Sequence, residues 1–532
     1  MLKSIVMLEE NMYWAKEIAL KIIEERPNQE VYTVASGISP SGFIHIGNFR
    51  EIATPYLVAL ELEKLGKKVR YILSWDEFDR FRKTPGNIDP SFNKYIGTPY
   101  VDIPSPLNEN ENYATTFENI FINELKEMGI NNIEFIYQGK EYRSLRYLED
   151  IKLCMSKRKD IFDIITSFKT QEFNAEDREN YYPISIYCSK CKKDLTTIIS
   201  YNEETGEIEY ICECGNKETI NINEYNNLKL VWKVDWPMRW RAEHVDFECG
   251  GRDHSTEGGS FQVASKVAKE IFGYEPPVYA MYDFIGIKGG EMKMSSSKGN
   301  VITLTDLLKV YDKYIIMWFY AKTKSSQAFD IAFDNDVIRY YQEFDRWVKL
   351  FLEGNIDEKN KAALENTKVT SDYLNYPNFS YLATFLPMVN YEKSLLEKLL
   401  YKEGVDTNSK YFDERFEKAE HWIETYGEKY RIKLLAENNK EYFDKLDVKE
   451  KENIVKTIDI LKDNNFNSSD ELQTILYDVV KESIKDESEL KTAQKKYFED
   501  LYNLLLGASR GPKLGLFLIA ANREKVIELL TF

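Results

Sequence analysis

Val31-Tyr32-Thr33-Val34-Ala35-Ser36-Gly37-Ile38-Ser39-Pro40-Ser41-Gly42-Phe43-Ile44-His45-Ile46-Gly47-Asn48 is the stretch that decides the fold of this 532-residue chain. Its first six residues are short, β-branched or aromatic and read as a buried strand. A turn follows from Gly37 to Gly42. Beyond His45 the apolar residues Phe49, Ile52, Ala53, Tyr56, Leu57 and Leu60 recur at helical spacing, and Gly66 suits a helix C-terminus. Lys67-Lys68 then leads into a second strand, Val69 to Leu73. The result is one strand, helix, strand unit of a parallel sheet. Such sheets bind ligands beyond the carboxyl ends of their strands, where a helix N-terminus offers unpaired N–H groups to an anion. Pro40, Ser41, Gly42, His45, Gly47 and Asn48 lie on that turn. His45 can donate a hydrogen bond to phosphate, and a side chain at 47 would block a nucleotide's approach to the helix backbone. A His-Ile-Gly-Asn match alone is weak, since a packed histidine is commoner; its place at a strand-to-helix turn favours a triphosphate site.

Lys293-Met294-Ser295-Ser296-Ser297-Lys298 follows the strand-like Tyr282 to Ile287 and a Gly289-Gly290 turn, and precedes Thr305-Asp306, read as a helix start. Two lysines and three hydroxyls on a glycine-flanked loop suit a clamp on a phosphorus transition state, where fixed positive charge acts on developing negative charge. Composition alone also fits a solvated surface loop. The pairing with the His45 turn favours the clamp, provided that the two segments converge on one nucleotide.

Together the segments resemble the HIGH and KMSKS signatures of class I aminoacyl-tRNA synthetases, in the lysyl branch. The resemblance extends to Gly66 to Lys83, Gly250 to Ser260 and Gly507 to Pro512, and covers the chain from about Tyr13 to near its C-terminus. It implies attack of the lysine carboxylate on the α-phosphate of ATP, release of pyrophosphate, and transfer of the lysyl group to the terminal adenosine of tRNA(Lys). Mg²⁺ would accompany ATP, bridging phosphates more than protein. Neither step needs a protein nucleophile, so positioning and charge neutralisation carry the chemistry. The resemblance makes His45, Asn48, Lys293 and Lys298 the catalytic set. For ATP it implies Pro40, Ser41, Gly42, His45, Gly47, Asn48, Asp253, Lys293, Met294, Ser295, Ser296 and Ser297, with Asp253 on ribose. For lysine it implies Gly37, Ser39, Trp232, His254 and Tyr282, where a ring face suits an ammonium and its stem; without it, Trp232 and Tyr282 read as core. Asp76, Glu77 and Asp79 are candidates to neutralise the ammonium, or are structural charges. The loop departs from the family pattern at Ser296, where a second lysine would stand; Lys298 lies two residues on. The resemblance also implies that ATP–pyrophosphate exchange depends on added tRNA. Two other readings stay open: a glutamyl-type synthetase, against which the Lys293 to Asn300 and Trp75 to Lys83 segments argue, and a noncatalytic tRNA-binding relative, against which His45, Gly47, Asn48 and Lys293 argue.

The length exceeds what one core serves and suggests two or three domains. No long apolar run or signal segment is present, so a cytoplasmic enzyme with neither membrane nor DNA partner is expected. A net charge of −17 argues mildly against nucleic acid, although a local basic face can steer RNA. Arg143, Arg146, Lys152, Lys157, Arg158 and Lys159 form one such cluster on an expected helix, with a solvated charged face as the commoner reading.

Of six cysteines, Cys188, Cys191, Cys212 and Cys214 fall as Cys-x-x-Cys, twenty residues, then Cys-x-Cys, around an expected hairpin of Thr196 to Tyr201 and Glu207 to Ile211. That is the layout of a zinc ribbon, and four thiolates would close a tetrahedral shell that does no chemistry. Chance or redox-active pairs are the alternative. Cys154 and Cys249 read as ordinary thiols. The resemblance allows another Cys/His metal site upstream; Pro104 to Tyr113 contains neither residue type, and that site is expected to be missing.

The expected fold is an α/β Rossmann-like, doubly wound parallel sheet (HUP-type core), its first half in residues 1–140 and its second in 228–335. A connective insert with the zinc ribbon at 188–214 occupies 141–227, and an all-α region fills 336–532. The spacing of Phe416, Ala419, Ile423, Tyr426 and Tyr430 marks a helix there. The resemblance assigns this region to the tRNA anticodon.

Overall fold

The strand β1 (Tyr32–Ile38), expected from Val31 to Ser36, has six of its seven residues buried. It pairs in parallel with β2 (Val69–Trp75), Tyr32 facing Val69 and Ile38 facing Trp75, and β2 pairs in parallel with β3 (Glu134–Tyr137). The helix Ile46–Lys64 crosses between β1 and β2, with 15 of its 19 residues buried. Near-total burial explains why its apolar residues are not confined to one face.

The computed structural model describes residues 12–290, 301–389, 391–402, 406–431, 433–463, 465–466, 468–481 and 486–532. Lys293, Met294, Ser295, Ser296, Ser297 and Lys298 lie outside the described residues. The chain divides into two compact units: Met1–Leu308 with Lys313–Ala332 and Gly354–Val369, and Lys309–Asp312 with Phe333–Glu353 and Thr370–Phe532.

In the first unit an insert follows β3. Short strands β4 (Ile184–Ile186) and β8 (Leu228–Leu230) pair antiparallel at its base. Between them β5 (Thr196–Tyr201), β6 (Glu207–Cys212) and β7 (Lys217–Asn221) form an antiparallel sheet. The hairpin expected around the cysteines is present; the third strand β7 was not foreseen. Ile208, Tyr210, Cys212 and Ile220 bury one face of this sheet against Ile184, Ile186, Tyr187 and Cys188.

The main sheet resumes with β9 (Val245–Gly251) and β10 (Val278–Tyr282), giving the order β10-β9-β1-β2-β3, all parallel. The chain therefore runs outward from β1 in both directions, and the gap beyond the carboxyl ends of β1 and β9 is the switch point where such sheets take up ligands. The β1–β9 register slips between Thr33 and Val34, and the Asp246 carboxylate accepts the Thr33 N–H at 2.9 Å. A side chain thus replaces the carbonyl lost at the bulge.

Two expectations need correction here. Tyr282 to Ile287 is not one strand: β10 ends at Tyr282, and β11 (Ile285–Ile287) pairs instead with β12 (Phe329–Ile331) in a separate two-stranded sheet. The basic cluster does not lie on one helix. Arg143 ends the helix Gln138–Arg143, Lys152 lies on Leu148–Ser156, Lys157 is the residue between that helix and the next, and Arg158 and Lys159 open Arg158–Thr166. A left-handed Leu145 (φ 60) breaks the first of these from the second. Most of these cations have a carboxylate: Arg143 with Asp102, Arg146 with Glu141 and Glu243, Lys152 with Glu149, Lys157 with Asp160, Lys159 with Glu179. Arg158 donates to the carbonyls of Glu179 and Tyr181. These pairings answer its charge internally, as in a solvated structural face.

Among the described residues, the regular elements of the second unit are helices, from Asp336–Leu352 to Arg523–Leu530. At its centre the buried Arg415 pairs with Asp312, accepts a place over the rings of Tyr341 and Tyr376 at 4.9 and 4.7 Å, and donates to the Pro377 carbonyl at 2.8 Å. Trp422 Nε1 donates to the Phe333 carbonyl at 2.8 Å. The stripe from Phe416 is shorter than its spacing suggested. Phe416, Ala419 and Ile423 are buried on Lys410–Thr425, whereas Tyr426 caps that helix and Tyr430 lies in a separate 3₁₀ turn.

Candidate active site

His45 is the N-cap of the helix Ile46–Lys64, and its Nδ1 accepts the N–H groups of Gly47 at 3.0 Å and Asn48 at 3.2 Å. An acceptor Nδ1 places the proton of the neutral ring on Nε2. The other first-turn amides are also occupied: Ile46 N–H donates to the Ile302 carbonyl at 2.9 Å and Phe49 N–H to the His45 carbonyl at 3.1 Å. The expectation of a helix end with open N–H groups is therefore corrected. The histidine has taken that place through Nδ1, and Nε2 is the ring nitrogen that the cap does not use.

Glycine at 47 also has a reason within the turn itself. A Cβ there would lie 2.8 Å from His45 Cε1 and 2.9 Å from Nδ1. Glycine makes room for the capping imidazole, so the constraint is internal to the motif.

Beside this turn, at the switch point, lies a pocket of about 260 Å³. It is slightly smaller than the roughly 300–1,000 Å³ of sites for drug-sized ligands, a size suited to an amino acid. Gly37, Ser39, Trp232, His254 and Tyr282 all line it, as do Ser41 and Asn48. These residues come from the end of β1, the start of the helix Ile46–Lys64, the helix Trp232–Glu243, the turn after β9 and the end of β10. Pro40, Gly42, His45 and Gly47 flank the pocket on the same turn without lining it. Asp253 is exposed in the 3₁₀ turn Arg252–His254 and does not line it either.

One wall is aromatic. Trp232 stacks on Trp236 with centroids 5.1 Å apart, and His254 lies 6.3 and 5.9 Å from those two rings. Burial lowers the His254 pKa, which favours its neutral form.

The rest of the lining includes two carboxylates that sequence reasoning missed, Glu51 and Glu248. Burial pushes Glu248 up to about 7, even though Trp240 Nε1 donates to it at 2.5 Å. Burial likewise holds Glu51 well above the usual carboxylate range, the Tyr282 hydroxyl offsets part of that, and repulsion from Glu248 adds to it. Desolvation thus disfavours the charged form of both acids, and the nearby Glu248 adds to that effect at Glu51.

The acids suggested by composition serve elsewhere. Asp76 pairs with Arg239, which also holds Asp235; Lys229 pairs with Asp79 and lies 3.6 Å from Asp235. Glu77 accepts the N–H groups of Gln138 and Gly139 at 2.9 and 2.8 Å. Asp76, Glu77 and Asp79 are thus structural charges, and none lines the pocket.

Arg50, one helical position before Glu51, donates to the carbonyls of Asp283 at 3.0 Å, Lys324 at 2.9 Å and Gln327 at 2.8 Å. It ties chain on both sides of residues 291–300 to the helix that carries His45.

In the insert, Cys188, Cys191, Cys212 and Cys214 bring their sulfurs within 4.8 Å of one another, with 3.8 Å between Cys188 and Cys214 and 3.5 Å between Cys191 and Cys212. A tetrahedral Zn–S shell at about 2.3 Å requires sulfurs about 3.8 Å apart. The four can hold a metal ion in that geometry. Left-handed Lys192 and Gly215 turn the chain after each pair.

Residues 12–371 match the family described as tRNA synthetases class I (K). The chain belongs to the class I (K) tRNA synthetases. Similar relatives extend the match beyond that span. A lysine–tRNA ligase of Borreliella burgdorferi is 36% identical over 521 residues, covering 95% of this chain and 96% of the relative. One from Thermococcus kodakarensis is 34% identical, covering 98% and 99%, and one from Streptomyces coelicolor is 34% identical, covering 97% and 98%. The parallel sheet with its switch-point pocket and the helical second unit are the class I architecture expected above. Among the described residues, no helix is long and apolar enough to cross a membrane.

Proposed function

We propose that this chain is a lysine–tRNA ligase, which activates L-lysine with ATP and transfers it to the terminal adenosine of tRNA(Lys). The observation that carries the reading is the pair of buried carboxylates, Glu51 and Glu248, in the aromatic-walled pocket beside the His45 turn. Lysine brings two ammonium groups and one carboxylate, so two acids complement it. A glutamate side chain in the same place would face like charge, which disfavours the glutamyl-type alternative.

In this reading Trp232 and Tyr282 flank the lysine stem, and Gly37, Ser39 and His254 complete its surroundings. Glu51 and Glu248 neutralise the ammonium groups, leaving the lysine carboxylate to face the α-phosphate. His45 donates from Nε2 to phosphate, with Asn48, Pro40, Ser41, Gly42 and Gly47 around the nucleotide and Asp253 on its ribose. Lys293 and Lys298, with Met294, Ser295, Ser296 and Ser297, act on the departing pyrophosphate. Mg²⁺ accompanies ATP and neutralises its phosphate charge. Zn²⁺ on Cys188, Cys191, Cys212 and Cys214 holds the insert together, and the helical region 336–532 receives the anticodon. The enzyme works in the cytoplasm.

The test is charging of total tRNA with each labelled amino acid in turn. Lysine alone is expected to be incorporated. Incorporation of glutamate would identify the glutamyl-type competitor, and no incorporation would identify a tRNA-binding protein without activity.

A further inference from the structure

Behind the pocket, off its lining, three carboxylates meet two cations: Asp76, Asp79 and Asp235 against Lys229 and Arg239. A buried charge network is weak evidence for stability, since well-packed apolar side chains would serve a fold as well. Its location is more telling.

Arg239 is the hub. One arm of its guanidinium donates to Asp76 and the other to Asp235, one turn back on the helix Trp232–Glu243, and its central carbon lies 5.8 Å from the centre of the Trp232 ring. Asp76 directly follows β2. Its N–H donates to the Ile38 carbonyl at 2.9 Å, and its second oxygen lies 4.0 Å from where a Cβ on Gly37 would stand. Gly37, Ile38, Trp232 and Trp236 all line the pocket. One planar, permanently charged group thus joins the end of β1 and β2 to the aromatic wall.

The network also reaches the pocket by charge. Arg239 favours the carboxylate form of Glu248, whereas Asp76 opposes it there and at Glu51. The other groups facing Glu248 are Trp236, Trp240, Glu51, Tyr279 and Cys249, and none of these five is a cation. Resting on the function proposed above, we propose that Arg239 is a positioning residue of the lysine site: it holds Trp232 against the end of β2, and its charge, set against that of Asp76, governs how readily Glu248 meets the substrate's ammonium.

The experiment measures lysine charging by the full chain at saturating ATP and tRNA, with KM and kcat for lysine taken from pH 6 to 9. His254, held below its usual range by burial, is largely neutral across that window. Arg239→Met is expected to move the fall of KM with pH upward by about one unit, raising KM at pH 7 about 10-fold while kcat changes less. Asp76→Asn keeps an acceptor for Arg239 but removes the negative charge, so the fall is expected to move downward by about one unit. Arg239→Lys, which keeps the charge without the fork, should return the fall to its native pH with KM raised evenly across the range. Opposite displacements from the two partners of one ion pair do not arise from a loosened fold, which would raise KM at every pH in both. Asp76→Asn carries the test by itself where Arg239→Met does not fold. Profiles that stay at the native pH, or move in the same direction in both variants, while the native chain charges lysine, would overturn the positioning role and leave the function standing. A native chain that charges no lysine would overturn both.

Discussion

Glu248→Gln separates the cost of a buried acid from its use. The Glu248 carboxyl sits at about 7 in the folded chain against an ordinary 4.5. At 1.36 kcal/mol per unit, holding it ionised costs the ligand-free fold roughly 3 kcal/mol. The folded chain binds this proton more tightly than the unfolded chain. Its contribution is therefore fully present below about pH 4.5 and is lost as pH rises through about 7. Glutamine never ionises and can still accept from Trp240. Urea unfolding of variant and native chain side by side should show near-equal stability at about pH 4, an advantage to the variant of about 1 kcal/mol by about pH 5, and one of about 3 kcal/mol by about pH 8. Lysine binding should move the other way. Removing one partner of a buried ion pair costs about 3–5 kcal/mol, so KM for lysine should rise at least about 100-fold. In the native chain the same KM should fall as pH rises from 6 to 8 and then level, because the ammonium requires the ionised acid. Parallel stability curves from pH 5 to 8, or an unchanged lysine KM in Glu248→Gln, would refute the reasoning.

Gly47→Ala should push the imidazole off its cap, lowering stability by about 1 kcal/mol in thermal melts and kcat at least about 10-fold; native turnover would contradict the capping role. His45→Asn should keep the cap and the melting temperature yet lose turnover, since Asn is a good cap but cannot reproduce the Nε2 donor. Cys212→Ser should drop zinc, measured by atomic absorption, from one per chain to well below half, and destabilise the insert; full retention would remove the zinc assignment. Lys293→Ala should lower kcat more than it raises the lysine KM, as expected of a group acting on the transition state, and a pure KM effect would contradict that role.

The β1 turn and the following helix were legible because strand composition and helical spacing are local properties. The four cysteines were legible for a similar reason: metal spacing is written along the chain. Glu51 was not. Periodicity assigns a polar residue to the solvent face, and the helix Ile46–Lys64 has almost none, so Arg50, Glu51 and Glu61 are all buried. Glu248 gave no signal either: Val245-Asp246-Phe247-Glu248-Cys249 alternates like a strand with one solvent face, yet both acids are buried. The basic cluster was legible as a solvated charged face but not as several elements, because the left-handed Leu145 that breaks the helix carries no mark in the sequence, and partners such as Asp102, Glu179 and Glu243 stand far along the chain. The glycine at 47 was noticed for its emptiness; only coordinates reveal that a neighbouring imidazole fills the space.

The grip of Arg50 on the carbonyls of Asp283, Lys324 and Gln327, together with the bond from Ile46 N–H to the Ile302 carbonyl, fastens these separate stretches of chain to a single helical turn, about 6 Å long. One guanidinium thereby joins stretches of chain more than 40 positions apart, Asp283 on one side and Gln327 on the other, to the start of the helix that follows β1. Loss of that one side chain would therefore unfasten three backbone carbonyls at once, so a single position governs how two remote stretches meet the pocket-bearing helix.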